Sequence, residues 1–296
     1  MSGFFLILQL SKKSIILKLS SVILMFKKRG DSKKMLYVIL SLLLISIAII
    51  FHDELSRFFI KTYYQISNAL TGEDDADQSK NLKNFGIPIP SKYTVHGIDI
   101  SRYQNYIDWK EVKKMKVDSI KISFAFIKAT EGKTRIDRYF DINWDNAKKN
   151  QLIRGAYHFY RPQVNSKLQA ENFINSVSLL KGDLPPVLDI ETLASGIHIS
   201  NTIKGLKNWL KIIENHYQLK PIIYTNIDFY NKYLINNGFE SYPLWIAHYY
   251  EKKVSLSQRW HFWQHNDKGK VNGISGDVDF NVFNGNIEEL RSLCKK

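Results

Sequence analysis

The chain has 296 residues, 44% of them hydrophobic, and a formal net charge of +14; that apolar content excludes a disordered chain and suits one large folded domain or two small ones. Residues 1–34 hold eight Lys or Arg against Asp31 alone, and the basic excess further on has no Arg-rich helix, zinc-finger spacing or RNP-like aromatic strand, so no nucleic-acid partner is expected. A single cysteine, Cys294, excludes an intramolecular disulfide and any cysteine metal site.

Residues 1–34 read as a basic cytoplasmic leader whose apolar stretch, 3–26, is broken by Lys12, Lys13 and Lys18; Met25 or Met35 is an alternative initiator. The run MLYVILSLLLISIAIIF, residues 35–51, is 17 residues without a charge and apolar all round, which fits a single transmembrane helix. Lys33 and Lys34 precede it and His52, Asp53 and Glu54 follow, so the N-terminus belongs in the cytoplasm and all beyond Phe51 in the periplasm or outside the cell. No small-x-small cleavage site follows, which favours an uncleaved signal anchor. Residues 52–92 then hold a juxtamembrane helix, with Leu55, Phe58, Phe59, Ile66 and Leu70 at helical spacing, and a polar linker that ends in prolines.

From Tyr93 onward short apolar strands alternate with amphipathic helices. The pattern predicts strands over 95–100, 119–129, 153–160, 185–191, 221–225, 244–249, 260–265 and 277–283. Helices are predicted over 108–116, 139–149, 165–180, 201–217 and 227–235, while the last gaps are too short for full helices. This is an α/β fold, a parallel TIM-like barrel trimmed to five β/α units followed by three strands, occupying residues 93–296.

In such a barrel the active site gathers at the C-terminal strand ends. Those ends supply Asp99, Glu131, Tyr157 with His158, Asp189 with Glu191, Tyr224, Trp245, Gln264 and Asp279. Asp189 and Glu191 stand two apart on one strand, so their side chains share a face with Cα atoms roughly 6.6 Å apart. One acidic strand end could be a salt bridge or a helix cap. Asp99, Asp189, Glu191 and Asp279 facing one mouth repel, which keeps at least one proton on near neutral pH, as a general acid requires. Aromatic residues interleave with these acids (Tyr103, Tyr106, Tyr157, Tyr160, Tyr224, Trp245, Tyr249, Trp260, Trp263) and suit sugar stacking as a set. His96, Asp99 and His158 are not accompanied by a His-x-His or His-Glu-x-x-His pair, so neither a metal nor another cofactor is expected.

The motifs HGIDISRYQNYIDW, FAFIKATEG, RGAYHFYRP, PPVLDIE, PIIYTN, LWIAHY, WQH and GDVDFN, in this order from about Val95 to Phe283, resemble the N,O-diacetylmuramidase lysozymes of glycoside hydrolase family 25. The resemblance implies the same trimmed barrel and hydrolysis of the β-1,4 bond between N-acetylmuramic acid and N-acetylglucosamine in peptidoglycan glycan strands; a monomer is expected. It implies Glu191 as proton donor with Asp189, Asp99 and Asp279, and Tyr157, Tyr224, Trp245 and Gln264 as substrate contacts. Carboxylate spacing on one strand face decides neither a retaining nor an inverting outcome, but a 2-acetamido sugar suits a substrate-assisted route with Glu191 as general acid. The competing expectations are a catalytically idle, membrane-tethered peptidoglycan-binding module and a chitin-type N-acetylglucosaminidase.

Overall fold

The structure, a computed structural model, describes Thr62, residues 85–90 and residues 92–296. The chain divides into two compact units, Met1–Asp74 and Asp75–Lys296. Of the first, only Thr62 is described, and it is helical. The expected anchor at 35–51 and, apart from Thr62, the juxtamembrane helix lie outside the described residues; among the described residues no helix is long and apolar enough to cross a membrane.

The second unit is a closed barrel. Its strands are β1 (Val95–Ile100), β3 (Ile120–Glu131), β5 (Ile153–Phe159), β6 (Val187–Asp189), β7 (Ile222–Asn226), β8 (Leu244–Ala247), β9 (Phe262–Gly269) and β10 (Val278–Phe283). Two short strands, β2 (Lys116–Val117) and β4 (Arg135–Ile136), pair with the ends of β3 outside the ring. Neighbours from β1 through β3 and β5 to β9 are parallel, whereas β10 is antiparallel to both β9 and β1 and closes the ring. The expected all-parallel barrel is corrected at this strand: only 8 residues separate β9 from β10, and a parallel return needs a crossover of a dozen or more.

Strand residues alternate between two apolar layers. Phe124, Phe126, Val187, Ile222, Tyr224, Trp245, Phe262 and Phe283 fill the lumen. Ile98, Ala125, Ile127, Leu188, Ile223, Ile246 and Trp263 point outward under the helices. The lumen closes over its rings only because two positions lack a side chain: a Cβ on Gly97 would stand 2.5 Å from the Phe124 ring and one on Gly155 2.6 Å from Phe126.

The outer helices are α1 (Trp109–Lys114), α2 (Phe140–Lys149), α3 (Ser166–Ser176) and α4 (Ile199–Tyr217), then α5 (Ile227–Phe229), which runs into a π-helical turn at Tyr230–Leu234. Asp108 caps α1 and Asn165 caps α3 by accepting two backbone N–H bonds each. A further helix, α6 (Ile287–Leu293), was not expected; it opens on an Asn286–Glu289 capping box and packs Ile287, Leu290 and Leu293 with Cys294 against the luminal cluster. The Cys294 thiol is buried, which pushes it up to about 11 and leaves it unreactive.

Residues 85–90, expected as linker, belong to the barrel. Phe85, Ile87 and Ile89 alternate inward and are buried, the Phe85 ring meets Phe280 edge-on at 5.2 Å, and Phe85 C=O accepts from Lys270 N–H at 2.7 Å. The flanking prolines fix an extended backbone rather than a free tether.

Candidate active site

The parallel strands raise their C-terminal ends on one face of the barrel, and β10 brings its N-terminal end to that face. Asp99, near the end of β1, is the register partner of Asp279, near the start of β10. On β6, Asp189 is held by its neighbours: its carbonyl accepts from Tyr160 N–H at 2.8 Å, and Ile190 N–H donates to Tyr224 C=O at 3.0 Å. Glu191 follows just past the strand, where Asn226 Nδ2 donates to its backbone carbonyl at 3.2 Å.

The four expected carboxyls come together. Asp189 and Glu191 share a side-chain hydrogen bond, and both repel or are repelled by Asp99 or each other across the mouth. Burial raises all four. It lifts Asp99 to about 6 despite two hydrogen bonds that favour its charged form. Asp279 is raised well above the carboxylate range by burial and then by the Asp99 charge. Asp189 is raised well above it by burial and then by Glu191. Glu191 is raised by burial, with the Asp189 hydrogen bond and the Lys128 charge working against it. The cluster therefore keeps protons where an isolated carboxylate would have lost them.

Asp99 sits on a floor of fixed donors. Its Oδ2 accepts from Gln264 Nε2 and from Asn281 Nδ2, both at 2.7 Å. Gln264 Oε1 accepts in turn from the Tyr224 and Tyr249 hydroxyls, each at 2.6 Å, and Asn281 Oδ1 accepts from Trp245 Nε1 at 2.8 Å. Trp245 stacks on Phe126 at 4.3 Å and meets Tyr224 edge-on at 4.4 Å. Tyr224, Trp245 and Gln264 thus lie below the acids and orient Asp99. Tyr157 stands among the acids; burial and then the charges of Asp99, Asp189 and Asp279 push its hydroxyl well above its usual range.

Two strand-end residues, Glu131 and His158, leave the cluster, and His96 lies near the start of β1, away from the mouth. Glu131 is clamped by Lys128 at 2.8 Å, Arg135 at 2.8 Å and Arg161 at 2.6 Å; burial would raise it, but the Lys128 and Arg161 hydrogen bonds and charges win and hold it at about 2. His158 turns outward, one residue out of phase with Tyr157. Its Nδ1 meets Thr130 Oγ1 at 2.7 Å, its Nε2 meets Gln169 Oε1 at 3.1 Å, and its ring stacks on Trp209 at 5.5 Å. Buried there, it falls to about 4. His96 is spent on Tyr93 C=O at 2.8 Å. No group of three potential metal ligands occurs among the described residues. Of the aromatic set, Tyr160, Trp260 and Trp263 are core beneath the helices, whereas Tyr103 and Tyr106 are exposed.

Sequence reasoning missed Asn281 and Lys128. Asn281 follows Asp279 by two on one strand, the same signal that marks Asp189 and Glu191. Lys128 lies on the luminal side of β3 opposite Tyr157, and its charge acts on Asp189 and Glu191.

Comparison with known proteins agrees with this geometry. The Glycosyl hydrolases family 25 profile matches residues 98–274. The chain is 42% identical over 262 residues to the YegX protein of Escherichia coli K12, covering 88% of this chain and 94% of that one. It is 37% identical to Lysozyme M1 of Streptomyces globisporus over 68% of this chain and 71% of that protein. The solved structure of a family 25 glycosyl hydrolase from Bacillus anthracis superposes with a TM-score of 0.63 at 37% identity, covering 69% of this chain and 95% of the other. The chain belongs to glycosyl hydrolase family 25 and is a glycoside hydrolase of the lysozyme type.

Proposed function

We propose that the enzyme hydrolyses the β-1,4 bond between N-acetylmuramic acid and N-acetylglucosamine in peptidoglycan by a substrate-assisted route. The observation that carries this is Asp189: its carboxyl is buried and bonded to Glu191, yet Asp189 Oδ1 has no hydrogen-bond partner among the described residues. A buried, unpartnered carboxylate oxygen is costly unless a ligand completes it. The acetamido N–H of the sugar is a donor of the right chemistry.

In this reading Glu191 gives its proton to the leaving glycosidic oxygen as the acetamido carbonyl oxygen attacks the anomeric carbon and the C1–O bond breaks. Asp189 holds the acetamido N–H and offsets the positive charge of the oxazolinium. Water then adds to C1 from the opposite side as the C1–O bond to the acetamido oxygen breaks, restoring the acetamide, and gives a proton to the Glu191 carboxylate, so the β configuration returns. Asp99, fixed by Gln264 and Asn281, supplies negative potential around the ring, and Asp279 opposite it supplies hydrogen bonds. The names of relatives support the substrate: one is a lysozyme and another an N,O-diacetylmuramidase. We place the enzyme as a monomer outside the cytoplasm, tethered by residues 35–51.

Purified peptidoglycan incubated with the full chain should release fragments with new reducing-end N-acetylmuramic acid, detected by mass analysis. Intact walls with retained binding would favour an idle binding module, and release from chitooligosaccharides alone would move the substrate to chitin.

A further inference from the structure

A recess lies just beyond the C-terminal end of β1, where Arg102 follows Asp99 by three residues. Arg102, Tyr103, Asn105, Ile136 and Arg138 line a cleft of about 300 Å³, at the lower end of the range of about 300–1,000 Å³ for ligand pockets. One wall is the single-turn helix Arg102–Gln104 that follows β1, and the other is β4 with the residues after it. Both walls grow from the C-terminal ends of adjacent strands, so the cleft opens on the face that bears the carboxyls.

Its backbone is held in place. Arg102 N–H donates to Asp137 Oδ2 at 2.9 Å and Tyr139 N–H to Asp137 Oδ1 at 3.0 Å, which ties the two walls together. Gln104 Oε1 accepts from Ser101 N–H at 3.0 Å, and Gln104 Nε2 donates to Asp277 C=O at 3.1 Å.

The charged tips are not neutralised. The Arg102 guanidinium lies 5.2 Å over the Tyr103 ring and donates to its hydroxyl at 3.3 Å. Arg138 lies 5.0 Å over Tyr139 and donates to Asn105 Oδ1 at 3.4 Å. Neither pairs with a carboxylate among the described residues. The acids that act on Arg102 are Glu131 and Asp137, and both are already engaged, Glu131 by Lys128, Arg135 and Arg161 and Asp137 by the two backbone N–H groups. Two guanidinium forks beside an exposed tyrosine and Ile136 match a flexible anion with small apolar groups.

We propose that this cleft is a subsite for the carboxylates of the peptide carried by the glycan, and that Arg102 and Arg138 make the enzyme prefer peptide-bearing strands to bare ones. This rests on the muramidase reading above. That substrate presents its peptide on the lactyl group of the same sugar whose glycosidic bond lies at the acids, a short reach from Asp99.

The test uses soluble glycan strands with their peptides and the same strands after an amidase has removed them. For the Arg102→Gln, Arg138→Gln double variant of the full chain, KM on peptide-bearing strands should rise about three- to tenfold with kcat held, the size of one or two exposed charge contacts. On stripped strands both constants should match the parent. Added salt should erase the parent's preference. An equal change on both substrates, or no change on either, overturns the subsite. A parent that cleaves neither substrate removes the muramidase reading itself, and the subsite with it.

Discussion

Asp99 and Asp279 are register partners across the only seam of the barrel where first and last strands meet, and that seam is antiparallel. Two carboxyls from opposite ends of the domain therefore face each other at the mouth, and the Asp99 charge pushes Asp279 toward its protonated form.

Glu191→Gln should lower kcat on peptidoglycan by about 10²–10⁴-fold, the usual worth of a positioned general acid. Asp189→Asn should also be severely impaired while wall binding survives. Product stereochemistry is the sharper reading: by NMR the β anomer should appear first, and early α anomer would replace the substrate-assisted route with direct attack by water.

Turnover requires a proton on Glu191, so it should fall on the alkaline side as that proton is lost. The Lys128 charge opposes the burial that raises Asp189 and Glu191. Lys128→Met should move the alkaline limb of the kcat profile to higher pH. A limb displaced to lower pH would contradict the assigned influence of Lys128.

The carboxyls cost stability at neutral pH. Burial raises Asp99 from 3.8 to about 6, so the folded state binds more protons than the unfolded one between those values, and stability drops as pH rises through that window. Asp99→Asn keeps an oxygen that can accept from Gln264 and Asn281 and removes the charge. Its melting temperature should exceed the parent's at pH 7.5, by an amount of order 1–3 kcal/mol in stability, and the gap should close near pH 4. A less stable variant at pH 7.5 would reject this account.

Far from the mouth, Arg154 and Asp183 form a buried bidentate pair, Nε–Oδ1 and Nη2–Oδ2 both at 2.9 Å, with the guanidinium 3.7 Å over Trp144. Asp183→Ala strands a buried guanidinium and should cost about 3–5 kcal/mol, lowering the melting temperature by roughly 10 °C for a domain of this size. Thermal unfolding of the folded variant measures it, and a fall within a degree or two would mean that solvent or other groups replace the pair.

If residues 35–51 are an uncleaved anchor, a reporter inserted after Lys92 should be active only outside the cytoplasm and alkaline extraction should leave the chain in the membrane. A shortened soluble product would show cleavage instead.

Much of this was legible because burial on both faces leaves strands as bare apolar runs. Each expected strand exists, and the two-residue period that sets Asp189 beside Glu191 also sets Asp279 beside Asn281. Strand direction was not legible: a run such as VDFNVF reads alike both ways, and only the short connection from β9 betrays the reversal. Asp279 reached the mouth from the start of its strand, where an all-parallel barrel would have put it at the opposite end. His158 misled because one residue of phase carries a side chain from lumen to helix layer. Helix α6 escaped notice at 7 residues, too short for a periodic stripe, although its Asn286–Glu289 box was readable. Residues 227–235 kept a helical pattern, but the turn there widens to π after Phe229.

The antiparallel seam also sets a timetable. During synthesis β1 emerges first and waits with an open edge through nearly the whole domain before β10 arrives to cover it. Until that last strand docks, Asp99 lacks both Asn281 and Asp279, so a nascent or prematurely terminated chain holds an unfinished mouth.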